Sequence, residues 1–82
     1  MNEKEVRSLC TRLARVFSIN LPLTIASFLI TDENRVMEIH FSQGEIVGEL
    51  QRLKDLSIGL DDIGRIIFLR IENLIKYVNF EK

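Results

Sequence analysis

The feature that most constrains this chain is its final stretch, Leu60 to Phe80, in which apolar side chains occupy most positions. Their spacing predicts a helix that begins near Gly59, carries Asp61 and Asp62 in its first turn and runs to about Val78. A helix that is apolar on every side must be buried all round, and a chain of 82 residues cannot achieve that alone. We therefore expect this helix either to close the core or to pair with a second copy. The predicted dimerisation residues, which have the spacing of a coiled-coil seam, are Ile67, Ile71, Leu74 and Val78.

The composition predicts a single soluble domain over residues 1–82. Apolar residues make up 46% of the chain and charged residues 28%, which are the proportions of a globular protein rather than a disordered one. The formal net charge of −1 argues against broad nucleic-acid binding, which needs a basic surface. Cys10 is the one cysteine, so the chain has no disulfide framework. Because no apolar run has membrane length and the start lacks a signal-peptide pattern, we expect a cytoplasmic protein.

An amphipathic helix is predicted from Asn2 to Phe17. Apolar side chains recur there every three or four positions, which is the spacing of a helix with one buried stripe. Asn2 can cap this helix, and Glu3 and Glu5 fall in its first turn, where the helix dipole favours acidic groups. Basic residues off the stripe form either a solvated face or a partner-binding face. The predicted partner-binding residues are Arg7, Arg12 and Arg15.

Two further elements are predicted after this helix. Pro22 suits the first turn of a new helix, which should run to about Phe28 and complete a helix-turn-helix element. Residues 28–41 are predicted as a small β-hairpin, or wing, around a turn at residues 32–35. Its alternating apolar side chains would face the core. They are Met37, Ile39 and Phe41.

A third helix is predicted after the wing. Ser42 and Glu45 have the spacing of a capping box, in which each side chain binds the backbone of the other residue. The helix would end near residues 55–57 and bury one row of aliphatic side chains. That row consists of Ile46, Val47, Leu50, Leu53 and Leu56.

This order of elements is that of a winged helix-turn-helix, and three stretches carry a family resemblance. Residues 50–63, LQRLKDLSIGLDDI, resemble the junction between the third and fourth helices of MerR-type domains. Residues 41–46, FSQGEI, resemble the opening of that third helix, and residues 13–19, LARVFSI, the end of the first. The resemblance implies a mostly α fold, a MerR-type winged helix-turn-helix with a small β-hairpin wing and an apolar C-terminal helix.

A functional branch is also suggested by resemblance. Residues 21–28 hold no basic side chain that could contact a base edge or a phosphate. Residues 55–63 and 70–74 resemble the pattern of the chaperone modulators, a branch of the family that binds the J-domain of a DnaJ-like co-chaperone and restrains it. The resemblance implies a non-catalytic regulator of this kind. Two alternatives stay open: a small MerR-type DNA-binding transcription regulator, and a free-standing dimerisation module.

No catalytic, cofactor or metal site is predicted. His40 is the one histidine, whereas metal sites and catalytic triads need several convergent groups. Asp61 and Asp62 are adjacent, so on a helix they would point in different directions. Cys10 fits a small core residue. We therefore expect a protein partner and a possible homodimer, with nucleic acid and membrane not expected as partners, and no enzyme activity.

Overall fold

One antiparallel sheet of five strands, with a helix packed on one face, is the architecture of the computed structural model, which describes residues 1–78. The domain is α+β and only 24% helical. The predicted mostly α winged helix-turn-helix is therefore wrong. The elements are α1 (Glu3–Phe17), β1 (Ser27–Thr31), β2 (Val36–His40), β3 (Gln51–Leu53), β4 (Leu56–Leu60), β5 (Ile66–Ile71) and α2 (Ile75–Val78).

Helix α1 confirms the prediction for the first segment. The Asn2 side chain accepts a hydrogen bond of 2.9 Å from the Glu5 backbone, and the Glu5 side chain accepts one of 2.9 Å from the Asn2 backbone. This capping box pairs two of the amide groups that a helix start leaves open. Ser18 ends the helix in the left-handed conformation. The side chains that α1 buries are Val6, Leu9, Cys10 and Leu13.

Strands β1 and β2 confirm the predicted hairpin and its turn at residues 32–35. Phe28 lies opposite Ile39, and Ile30 lies opposite Met37. Successive side chains of a strand point to opposite faces of the sheet. These four therefore share one face, here called the inner face. Met37 and Ile39 belong to the same apolar cluster as the buried side chains of α1, and Phe28 and Ile30 pack against that cluster.

The strand order is β1-β2-β5-β4-β3, which places the last strand of residues 1–78 at the centre of the sheet. Leu69 and Ile71 of β5 pack on the inner face, while Phe68 is buried on the opposite, outer face. A short, continuous apolar run is the pattern of a strand covered on both faces. The predicted helix from about Gly59 to Val78 is therefore wrong. Asp61 and Asp62 begin a turn, not a helix.

The β3–β4 hairpin takes the place of the predicted third helix. Residues 42–50 form a loop, in which Gly48 has the left-handed φ of 78° that a helix excludes. Ser42 and Glu45 therefore cap nothing helical. The hairpin reverses at Lys54, whose φ is 54°. In residues 56–60 apolar positions alternate with Ser57 and Gly59, which is the period of a strand.

The predicted short helix from Pro22 to Phe28 is also absent. Within residues 1–78 the stretch from 19 to 26 has no regular secondary structure, and β1 already begins at Ser27. Proline fixes φ at a value that an extended connection uses as readily as a helix start does. This stretch carries the chain from the end of α1 to the edge of the sheet, and Ile25 is buried on the way.

Candidate interaction surface

Strand β1 forms one free edge of the sheet. Within residues 1–78 no strand pairs with it on the side away from β2. None of its five residues, SFLIT, is charged. An edge strand presents unpaired backbone N–H and C=O groups that another strand can bind, and proteins usually guard such edges with charges, proline or a bulge. The β1 edge has none of these guards along its five residues.

The side chains of β1 leave apolar surface on both faces of this edge. Leu29 lies opposite Glu38, on the outer face, and 57% of it is exposed. Phe28 and Ile30 point to the inner face, where they pack against the margin of the core but stay half-buried. Apolar side chains at the margin of the core therefore remain partly exposed along the β1 edge.

The two ends of β1 differ in charge. Beyond Thr31 the chain enters the turn, where Asp32, Glu33 and Asn34 all have left-handed φ values, of 53°, 56° and 69°. Arg35 contacts the Glu33 carboxylate at 2.9 Å, but both side chains are mostly exposed. At the other end the neighbouring residues, 25 and 26, are uncharged. The free edge is thus acidic at one end and neutral at the other.

The opposite edge of the sheet, β3, is guarded. It has only three residues, and the middle one is Arg52. The Arg52 guanidinium donates a 2.6 Å hydrogen bond to the backbone oxygen of Lys54 and contacts the Glu72 carboxylate at 2.9 Å. A short strand with an anchored charge is a common protection against edge pairing. This contrast singles out β1 as the accessible edge.

Charged groups on the outer face pair with one another. Arg70 lies opposite Glu38 in the register of β2 and β5, and the two contact at 3.5 Å. Arg70 also lies 3.8 Å from Glu72, which in turn binds Arg52. Nearby, His40 is exposed, and its ring centroid lies 5.0 Å from that of Phe68. The face is internally compensated and shows no concentration of one charge.

The predicted partner-binding arginines are spread over part of the surface of α1. Arg7 and Arg12 are five positions apart, which rotates one from the other by about 140° around a helix. Arg7 is exposed and contacts Glu3 at 2.6 Å, whereas Arg12 is half-buried and Arg15 is exposed. Their role in partner binding stays a prediction.

The predicted dimerisation residues lie within the monomer. Ile67, Ile71 and Leu74 are buried, and Val78 packs half-buried against the same core. Ile67 and Ile71 belong to β5, so no helical seam joins the four. A dimerisation role for them stays a prediction without that seam to support it.

The perturbed titratable groups hold the fold together. Hydrogen bonds from the Arg65 backbone and side chain and from the Ile63 backbone lower the pKa of Asp61, which ties the β4–β5 turn. Burial raises the pKa of the Cys10 thiol to about 11, which suppresses the reactive thiolate. Residues 1–78 contain no group of three or more His, Cys, Asp or Glu side chains that could hold a metal ion.

Two concave surfaces flank Leu21 and Pro22, and each is lined mainly by apolar side chains. A groove between α1 and the residues 21–25 measures only about 120 Å³, below the size of ordinary ligand pockets. A wider depression of about 480 Å³ is lined by Leu21, Phe41 and Ile67, with Arg65 as its one charged residue. Arg65 is already bound to Asp61 at 2.8 Å. Neither of these two surfaces suggests a small-molecule substrate.

Sequence reasoning found the hairpin but missed its free edge. The uncharged stretch SFLIT was visible in the sequence, but an edge is defined by which strands are neighbours, and that depends on β5.

In residues 1–78 no helix is long and apolar enough to cross a bilayer. Comparison of the chain with protein-family models, with curated proteins and with solved structures finds no match.

Proposed function

We propose that this protein is a non-catalytic protein-binding module whose partner adds a β-strand at the β1 edge. The observation that carries the proposal is the unguarded edge, five uncharged residues with Leu29 57% exposed. An added strand would pair the backbone groups that the edge leaves open. Its alternate side chains would cover Leu29 on the outer face, and Phe28 and Ile30 on the inner face.

The energetics of such pairing suit reversible association. Each new backbone hydrogen bond contributes a net of about 0.5–1.5 kcal/mol, and complete burial of a leucine side chain contributes about 1.5–3 kcal/mol. Association costs several kcal/mol in lost translational and rotational freedom. A strand of five residues therefore supports a partner that binds and dissociates, not a permanent assembly.

The non-catalytic part of the proposal is supported by what the acidic and thiol groups do. Asp55 and Asp61 each accept several hydrogen bonds that fasten turns. Cys10 is buried in the core cluster. Catalysis needs an acid, base or nucleophile placed where a substrate can reach it, and these groups are placed to stabilise the fold.

The narrower predictions lose their premise. The J-domain partner was implied by resemblance to a winged helix-turn-helix family, whose fold this chain does not have. The alternative role in DNA binding required a recognition helix over residues 21–28, which the structure does not contain. A J-domain partner stays a prediction, and the proposal keeps only the broader class, a protein partner.

The test is a selection of peptides on the purified protein. A displayed library of random twelve-residue peptides is panned against the wild type, and enriched peptides are measured by calorimetry. We expect peptides with alternating apolar and β-branched residues, and a loss of affinity of at least about tenfold, or 1.4 kcal/mol, in Leu29→Lys. The lysine places a charge on the free edge without disturbing the core, since Leu29 is largely exposed.

Val16→Lys is the matched control. Val16 is 65% exposed on α1 and lies outside the apolar cluster. It introduces the same side chain away from the β1 edge, so its peptide affinities should equal those of the wild type. Selected peptides that bind Leu29→Lys as tightly as the wild type would place the binding surface elsewhere and contradict the proposal.

A further inference from the structure

We infer that the strand taken by the β1 edge is β1 of a second copy of this chain, paired antiparallel about a two-fold axis at Leu29. The inference rests on the proposed function and names its partner. The paired sheets would form one continuous sheet of ten strands, with both α1 helices on the same face. The first support is the self-complementarity of the strand.

Pairing at Leu29 matches every position of the strand with a compatible one. Leu29 meets the Leu29 of the second copy on the outer face. Phe28 meets Ile30 of the second copy on the inner face. These half-buried side chains of each copy would therefore extend the core of the other copy. Ser27 meets Thr31. Apolar and hydroxyl pairs of this kind stabilise neighbouring strands.

The charges at the ends of β1 select the antiparallel direction. An antiparallel pair places Asp32 and Glu33 beside the uncharged residues 25 and 26 of the other copy. A parallel pair would place the acidic turn of one copy beside that of the other, and like charges facing each other are destabilising. The charge distribution therefore favours a two-fold arrangement.

Other registers lose these matches. A shift of one residue would flip the sheet of the second copy, so that its outer face lies on the same side as the inner face of the first. The apolar inner face of one copy would then adjoin the face of the other on which Glu38 and Arg70 lie. A shift of two residues toward the turn would set Phe28 opposite Asp32. Only the register centred on Leu29 pairs all five residues of β1 with one another.

Cysteine cross-linking tests the register directly. In the inferred dimer, Leu29→Cys meets itself at a Cα separation of about 4.5–5.5 Å, which a disulfide can span. Under mild oxidation we expect a covalent dimer of this variant. Native Cys10 is buried and does not compete under folding conditions.

Two matched variants on the same strand provide the control. Ser27→Cys alone should not cross-link, because residue 27 of the second copy lies four positions further along the paired strand, about 14 Å away. Thr31→Cys alone should not cross-link for the same reason. An equimolar mixture of the two should give a covalent heterodimer. Self-linking of Ser27→Cys without self-linking of Leu29→Cys would overturn the register.

Sedimentation velocity over a concentration series tests the association itself. We expect the wild type and Val16→Lys to shift from monomer to dimer together, and Leu29→Lys to need at least about tenfold higher concentration. A Leu29→Lys protein that dimerises like the wild type would show that the copies meet elsewhere.

The two proposals fail separately. If the wild type stays monomeric to the highest concentration and Leu29→Cys does not cross-link, the second copy is the wrong partner. If selected peptides then still bind and still lose affinity in Leu29→Lys, strand addition at β1 stands with another protein as its donor. If both results are negative, the proposed function is wrong as well.

Discussion

The Tyr77 hydroxyl donates a hydrogen bond of 2.5 Å to Oδ2 of Asp55, and so joins α2 to the turn between β3 and β4. Asp55 also accepts a hydrogen bond of 2.9 Å from the Asn73 side chain and contacts Lys76 at 3.4 Å. The Tyr77 ring packs on Phe17, with centroids 6.0 Å apart. One carboxylate thus holds the last described helix onto the domain.

Removal of the hydroxyl should therefore weaken the fold. Tyr77→Phe keeps the ring and its packing but deprives Asp55 of its shortest hydrogen bond. Hydrogen bonds to charged groups contribute about 1.5–3 kcal/mol, so we expect a loss of about that size in the free energy of unfolding by urea. Lys76→Gln is the control, because Lys76 is exposed and its contact is long. It should cost less than about 0.5 kcal/mol, and equal losses in the two variants would contradict this account.

The same pair predicts how stability depends on pH. Burial and the bond to Asp55 raise the pKa of Tyr77 to about 12. Folding therefore favours the neutral phenol of Tyr77. The contribution of this group to the stability of the fold is complete below the ordinary pKa of 10 and is lost as the pH rises toward 12. Thermal melts between pH 9 and 12 should show a steep alkaline decline in the wild type. The decline should be shallower in Tyr77→Phe.

At acidic pH the stability of the fold should decrease as the pH falls, the reverse of its dependence at alkaline pH. Hydrogen bonds from Tyr77 and Asn73 lower the pKa of Asp55 below its ordinary value of 3.8. The stabilisation is complete above that value and is lost as the pH falls through the lower, folded-state pKa. Melts between pH 5 and 2 should show less acid destabilisation in Asp55→Asn than in the wild type, starting from a lower stability. An unchanged acid limb would show that Asp55 does not contribute to it.

A side chain at position 59 should destabilise the fold. An added Cβ atom would lie 3.0 Å from Cδ1 and Cγ1 of Ile46 and 3.1 Å from Cβ of Phe68. Ile46 lies in a loop and can shift, but a Cβ atom on the central strand cannot move without its backbone. We expect Gly59→Ala to cost about 1–3 kcal/mol of stability. Gly44→Ala is the control, since its nearest neighbour would be at an ordinary 3.6 Å.

A double variant separates the two contacts. Ile46→Ala removes both Ile46 atoms that the new methyl group would meet. If the clash with Ile46 matters, Gly59→Ala should cost less in the Ile46→Ala background than in the wild type. Equal costs in the two backgrounds would assign the whole effect to Phe68.

The Cys10 thiol should resist modification in the folded state. It is 4% exposed and burial raises its pKa to about 11, whereas the thiolate is the reactive form. With a disulfide reagent at pH 8, we expect labelling in water to be far slower than in denaturing urea and to quicken in Tyr77→Phe. Fast labelling of the native wild type would mean that α1 opens easily.

The predictions that were correct came from local patterns. The spacing of Val6, Leu9 and Leu13 and the capping residue Asn2 identify α1, because they depend only on residues near each other in sequence. The hairpin at residues 27–40 was found from the alternation of Met37 and Ile39 around a polar turn. Local spacing does not place every apolar side chain of α1, since Val16 is 65% exposed, whereas Phe17 beside it packs against the core.

The errors concern segments whose structure depends on distant partners. The run IIFLRI, residues 66–71, fits a buried helix or a buried strand, and periodicity alone does not separate the two. Its strand state depends on pairing with β2, about thirty residues earlier in the chain. The sequence held one local indication of a strand-linking turn, the glycine at position 64. Its φ of 83° suits a turn and is incompatible with a helix interior.

The central position of β5 also decides when the sheet can form. During synthesis the hairpins β1–β2 and β3–β4 leave the ribosome first, and each is a two-stranded unit that is marginal by itself. Glu38 and Arg70, partners across the β2–β5 pairing, are 32 residues apart. Until β5 inserts between the hairpins, β2 and β4 each have an unpaired edge on the side where β5 will lie. The nascent chain therefore passes through a stage in which both of these edges are open, and translation of one strand closes them together.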